Sequence, residues 1–325
     1  MDIDRRSLHQ SARAQLSAAS GTPKQVVLIY AAVSSLLALA ATLVSLLLSD
    51  RIADTGGLSN LGLRSILSTI QYILPIVQVL VMMTMDLGYL RAMLNITRGF
   101  PARNRDLTHG FYLFWPLLRT IIMQYVVYFG IIFLSIYASS FIFSVLPLSR
   151  NFYAVMEPYF SGTLVMDQAA ALQAFPTMIP FLVICLVVCC ALLLPKIYQF
   201  RMTFYCLLDS SRPGALAALG QSRMMMQGNR MRLFRLDLDF WWFYALEILI
   251  TLVCYGDLLL PMLGVSFPWS ATVSYFLFYL LSLVLQVTVY YFFMNRVHVT
   301  YAAFYETIRP RPQENGAVLG NIFDM

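Results

Sequence analysis

Six long apolar runs, separated by polar segments, form the main pattern along this chain of 325 residues. Nearly all of them reach the roughly 20 residues that an α-helix needs to cross about 30 Å of hydrocarbon. The pattern predicts an all-α, polytopic membrane helical bundle with six transmembrane helices arranged as three hairpins. We place the spans at about residues 26–48, 66–90, 117–146, 177–194, 240–262 and 271–295.

The spans and the polar segments that precede them predict one membrane domain over residues 1–308 and a short, disordered cytoplasmic tail over residues 309–325. The polar segments are expected to form interfacial amphipathic helices on the cytoplasmic side. Before the first span, apolar residues recur on one helix face at Leu8, Ala12, Leu16 and Ala19. A helix with such a face is expected to lie on the inner leaflet.

Composition supports the membrane interpretation, because 59% of the residues are hydrophobic, 12% are charged and the mean hydropathy is +0.71. In soluble domains about a quarter of all residues are charged. The net charge of +6 does not indicate nucleic acid, since 18 of the 22 Lys and Arg residues fall in the two termini and in alternate loops. The positive-inside rule therefore predicts that both termini are cytoplasmic.

No motif for catalysis, a cofactor or a metal is present in the sequence. There is no GxxxxGK[ST], GxSxG or HExxH motif, and none of the three histidines lies near Cys, Asp or Glu at the spacing of metal ligands. The five cysteines lie in or beside apolar runs and are interpreted as small buried residues. We therefore expect a protein that is not an enzyme and needs no cofactor.

Five segments of the chain carry a specific resemblance to a known family. They are Ser11-Ala-Arg-Ala-Gln-Leu16, Pro195-Lys-Ile-Tyr, Leu207-Leu-Asp-Ser-Ser-Arg-Pro213, Ser222-Arg-Met-Met-Met-Gln-Gly-Asn-Arg-Met-Arg-Leu-Phe-Arg-Leu-Asp-Leu238 and Tyr301-Ala-Ala-Phe-Tyr-Glu306. Together they resemble a family of bacterial integral membrane proteins, mostly from Firmicutes, that is known as domain of unknown function 975. The resemblance implies this architecture and a location in the bacterial inner membrane, but no activity.

Polar side chains within the predicted spans are the candidates for an intramembrane site, because a charge at that depth costs at least about 2.5–3.5 kcal/mol. Glu247 lies in the cytoplasmic half of the fifth span, and Arg119 lies in that of the third. A pair of these two residues would act either as a proton or ion relay or as a structural lock between helices, and Glu247 could instead be protonated and hydrogen-bonded. Gln124 and Gln286 add amide groups that favour hydrogen bonding between helices.

A basic segment before the fifth span is the second candidate site. Its residues are Arg223, Gly228, Asn229, Arg230, Arg232 and Arg235. Near the membrane each arginine gains about 1 kcal/mol from anionic lipid. The charges fit an orientation signal, and they also fit the binding of anionic lipid or a protein partner at the cytoplasmic leaflet. The Gly-Asn pair predicts a break in the helix and a turn able to hold an anion.

Two classes of function remain after these exclusions. The first is a non-catalytic membrane scaffold or accessory protein that binds a protein partner or anionic lipid at its basic cytoplasmic face. The alternative is a small-solute or ion transporter or channel, with Glu247 in a polar pathway. The first class needs no hydrated cavity, and the sequence favours it because few polar residues line up along the spans.

Overall fold

The computed structural model describes residues 5–19, 22–54, 61–161, 168–210, 214–262, 264–265 and 267–309. Regular structure in these ranges is helical, without any β-strand. The helices are α1 (Arg5–Ala18), α2 (Thr22–Asp54), α3 (Leu61–Thr97), α4 (Asn104–Tyr112), α5 (Phe114–Val145), α6 (Leu148–Phe160), α7 (Gln168–Phe200), α8 (Thr203–Asp209), α9 (Ala215–Met225), α10 (Arg230–Asp239), α11 (Trp241–Cys254), α12 (Gly256–Met262), α13 (Ala271–Val289) and α14 (Asn295–Ile308), with a π-helical turn at Tyr290–Met294. The predicted tail lies outside the described residues from residue 310 onward.

Five helical stretches of the described chain are long and apolar enough to cross a membrane, which is consistent with a multi-pass membrane protein. They are Pro23–Ser49, Ser65–Thr97, Phe114–Val145, Pro176–Asp209 and Thr272–Ile308. Each of them overlaps one of the spans predicted from the sequence. Hydropathy and length therefore located these five helices correctly.

The remaining predicted span, at 240–262, is divided at Tyr255 into α11 and α12. The 14 residues of α11 correspond to about 21 Å of helix, which is shorter than the hydrocarbon layer. Both helices pack against α13. A Cβ atom on Gly256 would lie 2.7 Å from the ring of Phe278, so glycine permits the close approach to α13. The sixth crossing stays a prediction.

The internal contacts of the chain divide it into two compact units. Unit 1 comprises Met1–Leu117, Phe204–Gly214 and Met231–Met325, and unit 2 comprises Leu118–Thr203 and Ala215–Arg230. Unit 1 thus contains α1–α4 and α11–α14 with most of α8 and α10, whereas unit 2 contains α6, α7, α9 and most of α5.

Several helices of unit 1 meet at one end, where α2 begins, α3 ends and α14 lies alongside. The side chain of Asn295 links them, because it accepts a hydrogen bond from the Tyr89 hydroxyl (3.0 Å) and donates one to the Pro23 carbonyl (3.1 Å). We call this part of unit 1 the polar end. It consists of residues 5–19, 85–112, 204–210, 231–240 and 295–309.

Burial in unit 1 is concentrated at and beside the polar end. The buried cluster there includes Ala12, Val26, Tyr89, Met93, Ile96, Leu107, Met294 and Val299. The other half of α3 differs, since Ile66, Ile73 and Ile76 are all more than half exposed. An apolar surface of this extent is stable only against lipid or another apolar partner.

The two longest helical stretches of unit 1 exceed the thickness of a bilayer. α3 has 37 residues and Thr272–Ile308 has 37 as well, so each is about 55 Å long against about 30 Å of hydrocarbon. The C-terminal parts of these two stretches pack with α1 and α4 at the polar end. When the remaining, apolar parts are embedded in the bilayer, the polar end therefore projects beyond the hydrocarbon.

α4 folds back along the end of α3, and two glycines set the distance between these helices. A Cβ atom on Gly88 would collide with the carbonyl of Leu107, and one on Gly110 would collide with the carbonyl of Thr84. Small residues at such crossings let two helix backbones approach closely. The α3–α4 hairpin therefore depends on both glycines.

The expected position of α1 on the membrane surface is corrected by the structure. Leu8 and Ala12, which belong to the predicted lipid-facing side, are buried, and α1 packs against α14. The same apolar spacing that suits a lipid surface suits a groove between helices, because both bury one face of a helix. Here the apolar face contacts protein.

Unit 2 is held together by aromatic and polar contacts between its helices. The ring of Phe143 in α5 lies edge-on to Phe152 in α6 (5.7 Å between centroids) and to Phe181 in α7 (5.5 Å). The Ser222 hydroxyl in α9 donates to the Gln199 carbonyl in α7 at 3.0 Å. α7 continues through Pro195 to Phe200, so this helix is longer than the span predicted to end at residue 194.

Candidate functional site

Glu247 lies in α11 of unit 1 and is half-buried. Its Oε1 atom is buried and has no hydrogen-bond partner among the described residues. Tyr290, the first residue of the π-helical turn, lies near Glu247. π-helical turns occur often at functional sites, because they displace side chains from the regular helical register. This corner of unit 1 is therefore polar and incompletely paired.

The other three residues of the predicted intramembrane site are divided between the units. Arg119 and Gln124 belong to unit 2, whereas Glu247 and Gln286 belong to unit 1. Gln124 donates to the Phe200 carbonyl at 3.4 Å, and Gln286 donates to the Tyr290 hydroxyl at 3.1 Å. Each amide is thus used locally, and the Glu247–Arg119 pair stays a prediction.

The helix break predicted at Gly228 and Asn229 is present. α9 ends at Met225, Gly228 has a positive φ of 77°, and α10 begins at Arg230. The Asn229 side-chain amide donates to the Met225 carbonyl at 2.8 Å and so satisfies the C-terminal end of α9. This turn is explained by helix capping, and the capping role gives no support to the predicted anion site.

The arginines of the basic segment have different surroundings. Arg223 in unit 2 and Arg235 in unit 1 are exposed, whereas Arg230 and Arg232 are half-buried. Arg232 has interaction partners, but the Nε atom of Arg230 is buried without a hydrogen-bond partner in the described part of the chain. Within unit 1, the charge that is open to solvent in this segment is that of Arg235.

α10 has two apolar faces, which the sequence analysis did not distinguish. Leu233 and Leu236 are buried. On the opposite side Met231, Phe234 and Leu238 are 62%, 38% and 52% exposed. These residues follow the i, i+3, i+7 spacing of one helix face, and Arg235 lies beside them. α10 therefore presents an apolar stripe with an adjacent positive charge.

The polar end contains an ion-pair network that the sequence analysis missed. Arg98 binds Asp209 (2.7 Å) and Glu306 (2.6 Å), and Arg309 binds Asp209 at 3.1 Å. The Tyr305 hydroxyl donates to the same Asp209 carboxylate at 2.9 Å. Partial burial acts to lower the pKa of Arg98, but the hydrogen bonds and charges of its two acidic partners outweigh burial and raise that pKa.

A second acidic group at the polar end fastens α1 to α10. Asp239 accepts hydrogen bonds from Arg5 and His9, at 3.2 Å each. Two residues earlier, Asp237 accepts a hydrogen bond from the Tyr301 hydroxyl in α14. The two carboxylates diverge around the α10 axis and hold different helices, which is a structural arrangement and not a paired acid and base.

The family described as protein of unknown function (DUF975) matches residues 1–312 of the chain. The chain belongs to this family. No curated protein and no solved structure matches it significantly. The match covers both units, so the membership applies to the whole described fold.

Four of the five segments that resemble DUF975 have residues at the polar end. Asp209, Asp237 and Glu306 come from three of those segments, and each is held by an arginine or a tyrosine of another helix. The sequence contained this signal, because carboxylates are scarce in the chain and these three fall inside the motifs. The motifs of DUF975 in this chain therefore include contacts that assemble the polar end.

Proposed function

We propose that this member of DUF975 is a non-catalytic, multi-pass protein of the bacterial inner membrane that serves as a scaffold or accessory subunit. Its basic face binds anionic lipid of the cytoplasmic leaflet, and the polar end is available to a protein partner. The proposal involves no nucleic acid and no cofactor. Five helices that are long and apolar enough to cross a membrane support the membrane location.

The outer face of α10 is the observation that carries the proposal. An exposed stripe of three large apolar residues is costly in water, whereas in the headgroup layer it inserts about 5–10 Å toward the acyl chains. Arg235, beside the stripe, is exposed and can reach a phosphate group. An anionic bilayer surface satisfies both the apolar and the charged part of this face.

The connection between α10 and α11 supports the same location. α10 ends at Asp239, and the apolar helix α11 begins at Trp241, which is 67% exposed. Tryptophan is enriched where a membrane helix meets the headgroups. Because one residue separates α10 from α11, α10 lies at the bilayer surface when α11 is embedded.

The charge distribution supports the proposed orientation with both termini in the cytoplasm. The polar end carries many basic residues in addition to those of α10. They include Arg5, Arg91, Arg98, Arg103, Arg105, Arg296 and Arg309. The positive-inside rule favours a cytoplasmic position for this end, and its projection beyond the hydrocarbon gives a partner room to bind.

The alternative function, transport through a pathway lined by Glu247, Gln124 and Gln286, has less support. Gln124 and Gln286 belong to different units and have local hydrogen-bond partners. The buried and unpaired Oε1 atom of Glu247 is the feature that favours transport. A single such carboxylate also fits a protonated, structural role in an apolar helix.

Quenching of Trp241 fluorescence by brominated lipid tests the proposal. In a variant with the other three tryptophans replaced by phenylalanine, brominated phosphatidylglycerol should quench more strongly than brominated phosphatidylcholine. One arginine contributes about 1 kcal/mol, which corresponds to a preference of about fivefold. Arg235→Gln should reduce the preference, whereas Arg150→Gln, at an exposed site on α6, should not. Equal quenching by both lipids in the unaltered background would rule out the proposed lipid site.

A further inference from the structure

An open cavity lies at the other end of unit 1, separated from the polar end by the length of α11. Its volume is about 350 Å³, within the range of sites for small organic molecules. It is lined by Asp257, Pro261, Val265, Phe267, Trp269 and Ser274, which belong to α12, to the segment that follows it and to the start of α13. No function considered above uses this cavity.

Aromatic rings form one wall of the cavity. Phe267 and Trp269 stack nearly parallel, with 5.7 Å between centroids and 19° between planes. Phe278 of α13 contacts this stack, with its ring edge-on to Phe267 at 5.7 Å. Trp269 is 46% exposed, so part of its ring is available to a ligand. The faces of such rings attract cations, and Trp is the most effective of them.

A carboxylate lies within the same cavity. Asp257 is half-buried in the first turn of α12, and it has no hydrogen-bond or ion-pair partner in the part of the chain that the structure describes. No lysine or arginine is among the lining residues that the structure describes. An acidic residue in the first turn of a helix interacts favourably with the helix dipole, which explains its position. The dipole does not explain why the carboxylate shares a cavity with stacked aromatic rings.

We propose that this cavity binds a small organic ammonium ion. The carboxylate of Asp257 supplies the opposite charge, and the stacked rings of Phe267 and Trp269 contact the apolar substituents and the cationic centre. Aromatic faces recognise ammonium groups in proteins, and a nearby carboxylate adds attraction between opposite charges. In the proposed orientation the cavity opens on the side away from the cytoplasm. This site is additional to the lipid-binding face of α10 and does not depend on it.

Fluorescence of Trp269 measures binding directly. The full chain, in nanodiscs and with the other three tryptophans replaced by phenylalanine, is titrated with tetramethylammonium chloride, and sodium chloride at equal ionic strength serves as the reference. We expect a saturable change in fluorescence, and none with neopentyl alcohol, the uncharged analogue. Asp257→Asn should weaken binding about tenfold, whereas Glu157→Gln, at an exposed site on α6, should leave it unchanged.

Two outcomes would overturn the proposal. One is a response to tetramethylammonium that equals that of sodium chloride and does not saturate. The other is saturable binding with the same affinity in Asp257→Asn. Isothermal titration calorimetry of the Phe267→Leu variant is a second test, because this variant retains the carboxylate of Asp257. Loss of the aromatic face should weaken binding about fivefold, and an unchanged affinity would exclude the ring stack from the site.

Discussion

Replacing Asp209 with asparagine is expected to lower the free energy of unfolding by about 2–3 kcal/mol, because charge-assisted hydrogen bonds are lost while the two arginines stay partly solvated. The Asp209 side chain is only 9% exposed. It receives charged or hydroxyl donors from Arg98, Arg309 and Tyr305. Asparagine keeps the shape of the side chain but leaves two guanidinium groups without this anion. Thermal or denaturant-induced unfolding of the purified protein in detergent gives the change.

Two further substitutions separate this effect from a general loss of negative charge. Glu306→Gln should lower the free energy of unfolding by about 1 kcal/mol, because Glu306 is more exposed than Asp209 and Arg98 keeps Asp209 as a partner. Glu157→Gln, on the exposed surface of α6, should change stability by less than about 0.5 kcal/mol. If Asp209→Asn were no more destabilising than Glu157→Gln, the network would not hold the polar end together.

This network was not predictable from the sequence. Arg98 is separated from Asp209 by 111 positions and from Glu306 by 208, and no local pattern relates residues so far apart. The positive-inside rule alone explained why Arg98 and Arg309 lie in a loop and a terminus. The structure adds a second role, since Arg98 and Arg309 hold the ends of α3, α8 and α14 together.

Replacing Gly110 with alanine is expected to destabilise the protein by at least about 2–3 kcal/mol, the upper range for overpacking a close contact. The added methyl group would collide with the backbone carbonyl of Thr84, and backbone cannot move aside as a flexible side chain can. α4 would have to separate from α3, which would open the core around Leu107. The melting temperature of the purified variant in detergent measures the effect.

Gly130→Ala is the matched control for this substitution. Gly130 lies inside α5, and no atom of the described residues would lie within 4 Å of a Cβ atom at this position. Alanine at an open helical site should stabilise by about 0.4–1 kcal/mol, because it restricts the unfolded chain. A melting temperature for Gly110→Ala as high as that for Gly130→Ala would contradict the close packing of α3 against α4.

The spanning helices were predictable because the bilayer imposes both their length and their composition. The division at Tyr255 was not, since the residues before it, such as Val253 and Cys254, are as apolar as the rest of the run. The end of the fourth span was placed at residue 194, before Pro195, whereas α7 continues to Phe200. Proline weakens a helix in water but is tolerated in membrane helices, where neighbouring groups satisfy the freed carbonyl.

The candidate sites were predictable only in part. The spacing of Met231, Phe234 and Leu238 is visible in the sequence, but Leu233 and Leu236 give α10 a second apolar face. Sequence cannot say which of two apolar faces packs against protein, because the choice depends on distant helices. The same limit applies to α1, whose apolar face packs against α14 and not against lipid.

The bilayer position of α10 tests the central claim most directly. Nitroxide labels in place of Phe234 and Leu238, in a variant without the native cysteines, report collisions with oxygen and with a water-soluble nickel chelate. In phosphatidylglycerol vesicles we predict that both labels collide more often with oxygen than with the chelate, as a label at the exposed residue Ile73 of α3 should do. More collisions with the chelate, as expected for the exposed residue Arg105 of α4, would show that the stripe faces water and would contradict a lipid-binding α10.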